Sequence, residues 1–545
     1  MKKLLVLSLA GLLMLAFAGM VCAQPKFEFK ASGRFDVEGT TGKNNPTNNP
    51  ASANLFQVGS GGGNANSFGP GLAPARGAAV NNGNSWLSSR GTLIFDAKMG
   101  NEVSGTVIFE IDALRWGDTP GGQIGKISER NTTGFWGGDR ASVEVKNVYF
   151  DFGIPGVPVP TTLRIGEQPL AIRPTFFLYT DGPGVVAGIK ADPVTISPFW
   201  FKAVEGADFT ADDVDVYGLQ LRANINKLTV GGYAVYYNMN TYPLFVNSNI
   251  LGNVAGAPPL NQLVLGTNKA AFWWLGAYMD GKMGPVDLNL DFVYDRGEVE
   301  RRRVTVGLIA DDEIDYRGFA VRGKIDFPWE KFNFGTILAY GSGADARKTS
   351  TTGMPATAVA QNPTGVANNF TRKVKSYVSP PGSENQVMFG ESLIFYSSPV
   401  VKYTGWSANM NNFAVNQGSL GGTWFAKLYG TCKVAPDFKV TLQGLYIGDT
   451  TKNGNTIGNA QRPLPVGALA GATNLRDDST IGFEFDLITE LKIYRNLTWQ
   501  AGLGYMFLGD AMDFRSGTVP NNPRLPINTS INNPWTLQSR VMYVF

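Results

Sequence analysis

The chain has 545 residues, with 47 Lys and Arg against 44 Asp and Glu, 17% charged residues and a mean hydropathy of −0.08. Its formal charge of +3 excludes bulk attraction to nucleic acid, and a charged fraction well below the roughly 25% of soluble chains argues against a string of soluble domains. It contains no histidine, which removes Ser-His-Asp and Cys-His nucleophile pairs, histidine general bases and histidine-ligated zinc or haem, so neither an enzyme nor a cofactor is expected.

Met1-Lys2-Lys3 is a short basic head, Leu4 to Met20 is apolar, and Val21-Cys22-Ala23 ends in a small-residue cleavage site. This is the pattern of a secretory signal peptide over 1–23, with the mature chain at 24–545. The apolar run is short for a membrane anchor. A lipoprotein signal at Cys22 would want Gly, Ala or Ser before the cysteine, where this chain has Val21. Cleavage leaves Cys432 as the single thiol, so no intramolecular disulfide is expected.

From Phe27 onward the hydrophobic period is two. Phe27, Phe29, Ala31, Gly33, Phe35 and Val37 alternate with Glu28, Lys30, Ser32, Arg34, Asp36 and Glu38. Val286, Leu288, Leu290, Phe292 and Tyr294 oppose Asp287, Asn289, Asp291 and Asp295. Ile481 to Ile493 repeats the pattern, with Glu484, Asp486, Glu490 and Lys492 on the polar side. Leu497, Trp499, Ala501, Leu503, Tyr505 and Phe507 form another apolar row, and Trp535, Leu537, Ser539, Val541, Tyr543 and Phe545 end the chain. Strands of soluble sandwiches run to about 5–6 residues, whereas a tilted strand crossing a bilayer needs about 9–11. These stretches are of the second kind, and their aromatic ends match interfacial girdles.

Candidate strands lie near 27–39, 85–99, 103–114, 141–152, 161–167, 185–191, 195–205, 213–224, 228–239, 271–281, 286–296, 314–327, 332–341, 422–434, 438–448, 480–493, 497–508 and 534–545. The expected fold is an all-β transmembrane antiparallel barrel of about 18 strands, with 16 open because 161–205 is the least regular stretch. Short turns such as Asp192-Pro193, Ala435-Pro436-Asp437 and Tyr494-Arg495-Asn496 alternate with long Gly/Asn/Pro/Ser-rich segments near 40–84, 115–140, 240–270, 342–421, 449–479 and 509–533. The short turns read as the periplasmic rim and the long segments as solvated outer loops.

Other features read as ordinary for such a barrel. Glu298 to Arg303 and Asp311-Asp312-Glu313 fall in an outer loop, as a solvated charge run and an acidic run too small to imply a metal. Cys432 shares an outward row with Trp424, Ala426, Leu428 and Val434, and Trp274 and Tyr278 point inward. No phosphate-binding G-x-x-x-x-G-K-[ST] loop is present, which agrees with a passive device.

With Tyr543 and Phe545 at its end, and with Leu163-Arg164-Ile165-Gly166-Glu167-Gln168 before a loop, the mature chain resembles the porin family of Gram-negative outer membranes. Glu167 stands where the family has Arg. The resemblance implies an outer-membrane channel embedded among lipid and lipopolysaccharide, recognition of Tyr543 and Phe545 by the outer-membrane assembly machinery, and a homotrimer. It also implies that 167–184 is an inward loop carrying Glu167, Arg173 and Asp181. Alternation places Arg34, Arg90 and Arg164 on the lumen wall. The resemblance then sets acidic loop groups against a basic wall at the pore constriction.

The leading function is passive diffusion of ions and small hydrophilic solutes. A substrate-selective channel is the alternative, and a balanced census of lumen charges favours the first. A barrel sheathing a periplasmic electron-transfer partner, and an outer-membrane hydrolase, follow behind.

Overall fold

The computed structural model describes residues 27–43, 83–100, 102–113, 116, 142–205, 211–242, 268–300, 313–343, 373–381, 391–396, 400, 420–452, 477–512 and 532–545. The expected signal peptide, the Asn-rich 44–54 stretch and the Arg301-Arg302-Arg303 run lie outside them.

Strands β1 (Phe27–Lys43), β2 (Gly83–Met99), β3 (Val103–Ala113), β4 (Ser142–Gly153), β5 (Thr161–Ile172) and β6 (Leu178–Ala191) open the sheet. They are followed by β7 (Val194–Val204), β8 (Val214–Ile225), β9 (Leu228–Tyr242), β10 (Asn268–Met283), β11 (Val286–Glu300), β12 (Glu313–Trp329) and β13 (Phe332–Gly341). After the two-residue β14 (Lys373–Val374) come β15 (Thr423–Ala435), β16 (Phe438–Asp449), β17 (Thr480–Tyr494), β18 (Leu497–Leu508) and β19 (Trp535–Val544).

Each long strand pairs antiparallel with its neighbours in sequence, β13 passes directly to β15, and β19 returns to β1. Among the described residues eighteen strands therefore form a closed barrel, which resolves the choice between 16 and 18. Closure leaves no strand edge to meet lipid, which offers no hydrogen bonds of its own. The small β14 runs parallel to β12 at Asp315 and Tyr316, beyond the point where β13 ends.

The two faces of the wall follow the sequence alternation. Leu290 and Phe292 stand outward at 39% and 45% exposure, while Asp291 between them is 3% exposed. Leu428 is 69% exposed beside Lys427 at 6%. An outer surface of bare Leu, Phe, Trp and Tyr is unstable in water and matches hydrocarbon. The register therefore has its apolar row towards lipid.

Short turns gather at the rim that carries both Phe27 and Phe545. Asn226 (φ 55°) between β8 and β9 takes the left-handed conformation that so tight a turn requires.

One expectation fails. By composition the segment near 342–421 reads as a solvated outer loop, yet within it residues 376–380, 391–396 and 400 are buried inside the barrel. The reason is electrostatic as much as hydrophobic. The wall beneath carries buried carboxylates that need donors, and this segment supplies them from its backbone.

Candidate functional site: a lumen narrowed by two inserts

The first insert is the upper half of the β5–β6 hairpin. β4 pairs with β5 only as far as Val148 and Glu167, and β6 pairs with β7 only as far as Gly184 and Phe201. Beyond those points β5 and β6 still pair with each other, up to Ile172 and Leu178, but leave the wall. The departure is made at Gly166 (φ 133°), where a Cβ would stand 2.2 Å from the Val148 carbonyl oxygen. No other residue fits there.

The hairpin tip is apolar. Leu170, Ile172, Phe176, Phe177 and Leu178 are all buried, and Phe177 packs 4.6 Å from the Tyr233 ring and 6.4 Å from Trp274. Arg173 (φ 47°) turns the chain, with its carbonyl accepting from the amides of Phe176 and Phe177 at 2.7 Å each. Its guanidinium reaches the β10–β11 wall, donating to Asp280 at 2.6 and 3.0 Å and to Asp291, and lies 4.4 Å over the Tyr278 ring.

The second insert is the strap from the β13–β15 connection. Ile394 and Phe395 donate their amides to Glu484 at 2.6 and 3.0 Å, and Leu393 donates to Asp486 at 3.2 Å. Gln538 donates to the Leu393 carbonyl at 3.0 Å. Glu391 receives Arg322 Nη2 at 2.7 Å and Lys427 Nζ at 3.2 Å. Burial by itself disfavours the charged carboxyl, but Lys427 and Arg322 overcome it and hold Glu391 below the usual carboxylate range. Further along, Val378 donates to Asp295 at 3.3 Å and its carbonyl accepts from Trp274 Nε1 at 2.8 Å.

Opposite the inserts, the β1–β6 wall carries paired charges, most of them buried or half-buried, with Arg34 and Arg164 keeping solvent access. Arg34 Nε lies 2.6 Å from Asp36, which also receives Arg540 at 2.6 and 2.8 Å across the β1–β19 seam. Arg90 pairs with Glu110 at 3.0 Å, Lys146 with Glu110 at 3.6 Å and with Asp181 at 3.2 Å. Arg164 pairs with Asp151 at 2.8 Å and covers the Tyr149 ring at 4.4 Å. Its side chain is 37% exposed and that of Arg34 is 33% exposed.

The sequence-derived residues therefore divide. Arg34, Arg90 and Arg164 all face the lumen from one arc, and Asp181 joins that arc through Lys146. Glu167 stands at the point where the hairpin leaves the wall. Arg173 departs from the expected pattern of acidic loop facing basic wall, because it is a basic tip docked on an acidic wall. Tyr543 and Phe545 are outward and exposed, and Phe545 stacks on Phe35 at 5.4 Å.

No protein-family model matches the chain, and no curated protein matches it. Solved structures overlay on nearly its whole length at low sequence identity. OccK8 (OprE) of Pseudomonas aeruginosa is 9% identical over 95% of this chain and 98% of that one, at a TM-score of 0.45. OpdQ of the same organism is 9% identical over 95% and 98%, at 0.44, and OccAB3 of Acinetobacter baumannii is 9% identical over 95% and 99%, at 0.44. The barrel and its closure stand on this chain's own strand pairing.

Sequence reasoning missed Lys146 and Glu110, which link Arg90 to Asp181, and the strap anchors Glu484, Asp486, Asp295 and Arg322. The anchors had a signal. Glu484 and Asp486 are successive acids on one inward face, a pair that two-period alternation marks as needing donors. Nothing local identifies a donor some 90 residues away in sequence. Among the described residues no group of His, Cys, Asp and Glu is arranged to hold a metal ion.

Proposed function

We propose that this chain is an outer-membrane channel for small hydrophilic solutes and ions, passive in its energetics and selective through a lumen reduced by the hairpin and the strap. The observation that carries this reading is the pair of inserts. A barrel of eighteen strands is wide enough for an open aqueous bore, yet here the inward faces of β9 to β12 and of β15 to β19 are covered by Phe177, Tyr377, Leu393 and their neighbours. The solvent-accessible charges on the β1–β6 arc then line the remaining route. This moves the balance from unrestricted diffusion, which the lumen census favoured, to the selective alternative. The outer membrane is the matching location for a closed barrel with a lipid-facing exterior and an export-type N-terminus.

Arg34, Arg90 and Arg164, with Glu167 and Asp181 beside them on the same arc, form the constriction in this reading, and Arg173 holds the hairpin in place. Low-dielectric walls focus the field of such groups. Replacing Arg34, Arg90 and Arg164 together by Gln shifts the reversal potential in a salt gradient towards cations, measured on single channels in planar bilayers. The shift shrinks at 1 M salt, where the Debye length is about 3 Å. An unchanged reversal potential at low salt removes these arginines from the constriction, and absence of any conductance removes the channel.

A further inference from the structure

The two inserts come from distant parts of the chain, yet one set of buried charges holds both. Asp291 on β11 and Arg322 on β12 are direct cross-strand partners. Asp291 Oδ1 pairs with Arg173 of the hairpin tip, and its Oδ2 faces Arg322 Nη1 at 3.7 Å. Arg322 Nη2 reaches Glu391 of the strap at 2.7 Å, and Lys427 meets the same carboxylate at 3.2 Å. A second route runs beside the first: Asn289 donates to Asp280, which also holds Arg173, and accepts from Arg322 Nη1 at 2.7 Å.

Asp291, Arg322, Glu391 and Lys427 are exposed by 3, 6, 5 and 6%. At that depth each charge depends on its partners, because a buried ion left alone is far costlier than a solvated one. Lifting the strap strips Arg322 of Glu391 and turns its charge back on Asp291, which then competes with Arg173. Lifting the hairpin strips Asp291 and weakens the hold of Arg322 on the strap. Neither wall residue can yield, since the β11–β12 ladder fixes both backbones.

We propose that Asp291 and Arg322 are positioning residues shared by the two inserts, so that hairpin and strap set the aperture together and are released together. The proposal deepens the channel reading and rests on it for its functional meaning. Its physical content is a free-energy coupling between two docking equilibria through one bistable contact set.

The test uses the full mature barrel carrying Cys432→Ser, with a nitroxide on a cysteine at the exposed Thr175 of the hairpin. Glu391→Gln is made on the strap, which does not touch the label. Heat-modifiable mobility confirms that each variant is assembled. Glu391→Gln is expected to change the ratio of mobile to immobile spectral components at 175 by about 2- to 30-fold, the range of coupling through packed networks. In an Arg173→Gln background the same change adds little, because the relay is already cut. Arg322→Lys, which keeps the charge and loses the two-pronged geometry, serves as a second variant should Glu391→Gln not assemble.

An assembled variant of either kind with an unchanged spectrum at 175 overturns the proposal. Conductance of the same samples separates the two readings. Ion flux with an indifferent label overturns the coupling alone, whereas a responsive label in a barrel without conductance leaves the coupling and removes the channel.

Discussion

Gly33 and the terminal Phe545 exchange two backbone hydrogen bonds, Gly33 N to Phe545 O at 2.9 Å and Phe545 N to Gly33 O at 3.0 Å. The Phe545 ring lies over Gly33, where a Cβ would stand 2.6 Å from Cζ and 2.7 Å from the Thr92 carbonyl oxygen. The last residue of the chain is thus seated on a bare patch of the first strand. Inside the same seam, Arg540 is held by Asp36 and Glu38 at 2.6 and 3.3 Å. Closure is fastened by aromatic contact on the lipid side and by charge on the lumen side.

Gly33→Val fills that patch. The Thr92 oxygen belongs to the β2 backbone and cannot move aside, so overpacking costs about 1–3 kcal/mol at the seam. The variant is expected to lose heat-modifiable mobility at lower denaturant than the parent. Removing Tyr543 to Phe545 leaves an exported, unassembled chain, which fractionation detects. A normal barrel in either case separates closure from the terminal aromatics.

Leu290→Arg places a charge in the apolar belt and costs about 2–4 kcal/mol of barrel stability. Asp291→Arg, a cheap change by alternation alone, is expensive too, because it expels the partner of Arg173 and Arg322; breaking such a buried set costs about 3–5 kcal/mol. The lumen-facing control is Asp287→Asn near the rim, whose effect stays within about 0.5 kcal/mol. Denaturant titration in lipid vesicles ranks the three. Equal costs for Leu290→Arg and Asp287→Asn would mean a register shifted by one residue.

Glu484→Ala leaves the Ile394 and Phe395 amides without acceptors, each bond to a carboxylate being worth about 1.5–3 kcal/mol. The strap is expected to leave the β17 wall and single-channel conductance to rise, with the barrel still assembled. Unchanged conductance would show that the strap stands clear of the conducting route.

Glu391 has its pKa lowered by Lys427 and Arg322. A lowered folded-state pKa means that the contribution is complete above the ordinary value of about 4.3 and is lost only as pH falls through the folded value. The stability advantage of the parent over Glu391→Gln is therefore constant from neutral pH into the mildly acidic range, and fades below about pH 4. Paired denaturant titrations at several pH values check it. An advantage that disappears near pH 6 would place Glu391 away from its cations.

Gly166→Ala meets the Val148 carbonyl oxygen and a φ of 133° that an L side chain rarely adopts. The hairpin then loses the bend that aims it into the lumen. The expected result is an assembled barrel with larger and noisier conductance. Parental conductance would show that the bend survives a side chain.

The sequence alone determined which face of each strand meets lipid and that the fold is a barrel of 16 to 18 strands, while the strand pairing of 161–205 decided for eighteen. Those properties are local. Alternation, turn length and the need to satisfy every backbone group in hydrocarbon are legible in short windows. Arg34, Arg90 and Arg164 were placed on the lumen wall by the same rule. Tertiary structure alone decided what fills the lumen. Composition marks 342–421 as polar and Gly-rich, but whether such a segment points outward or inward depends on donors and acceptors supplied by strands far away. Asp291 meets Arg173 from 118 residues away, and Arg540 meets Asp36 from 504. Pairings of that range exist only once the barrel has closed, because closure is what brings the first strand beside the last and the hairpin tip against the far wall.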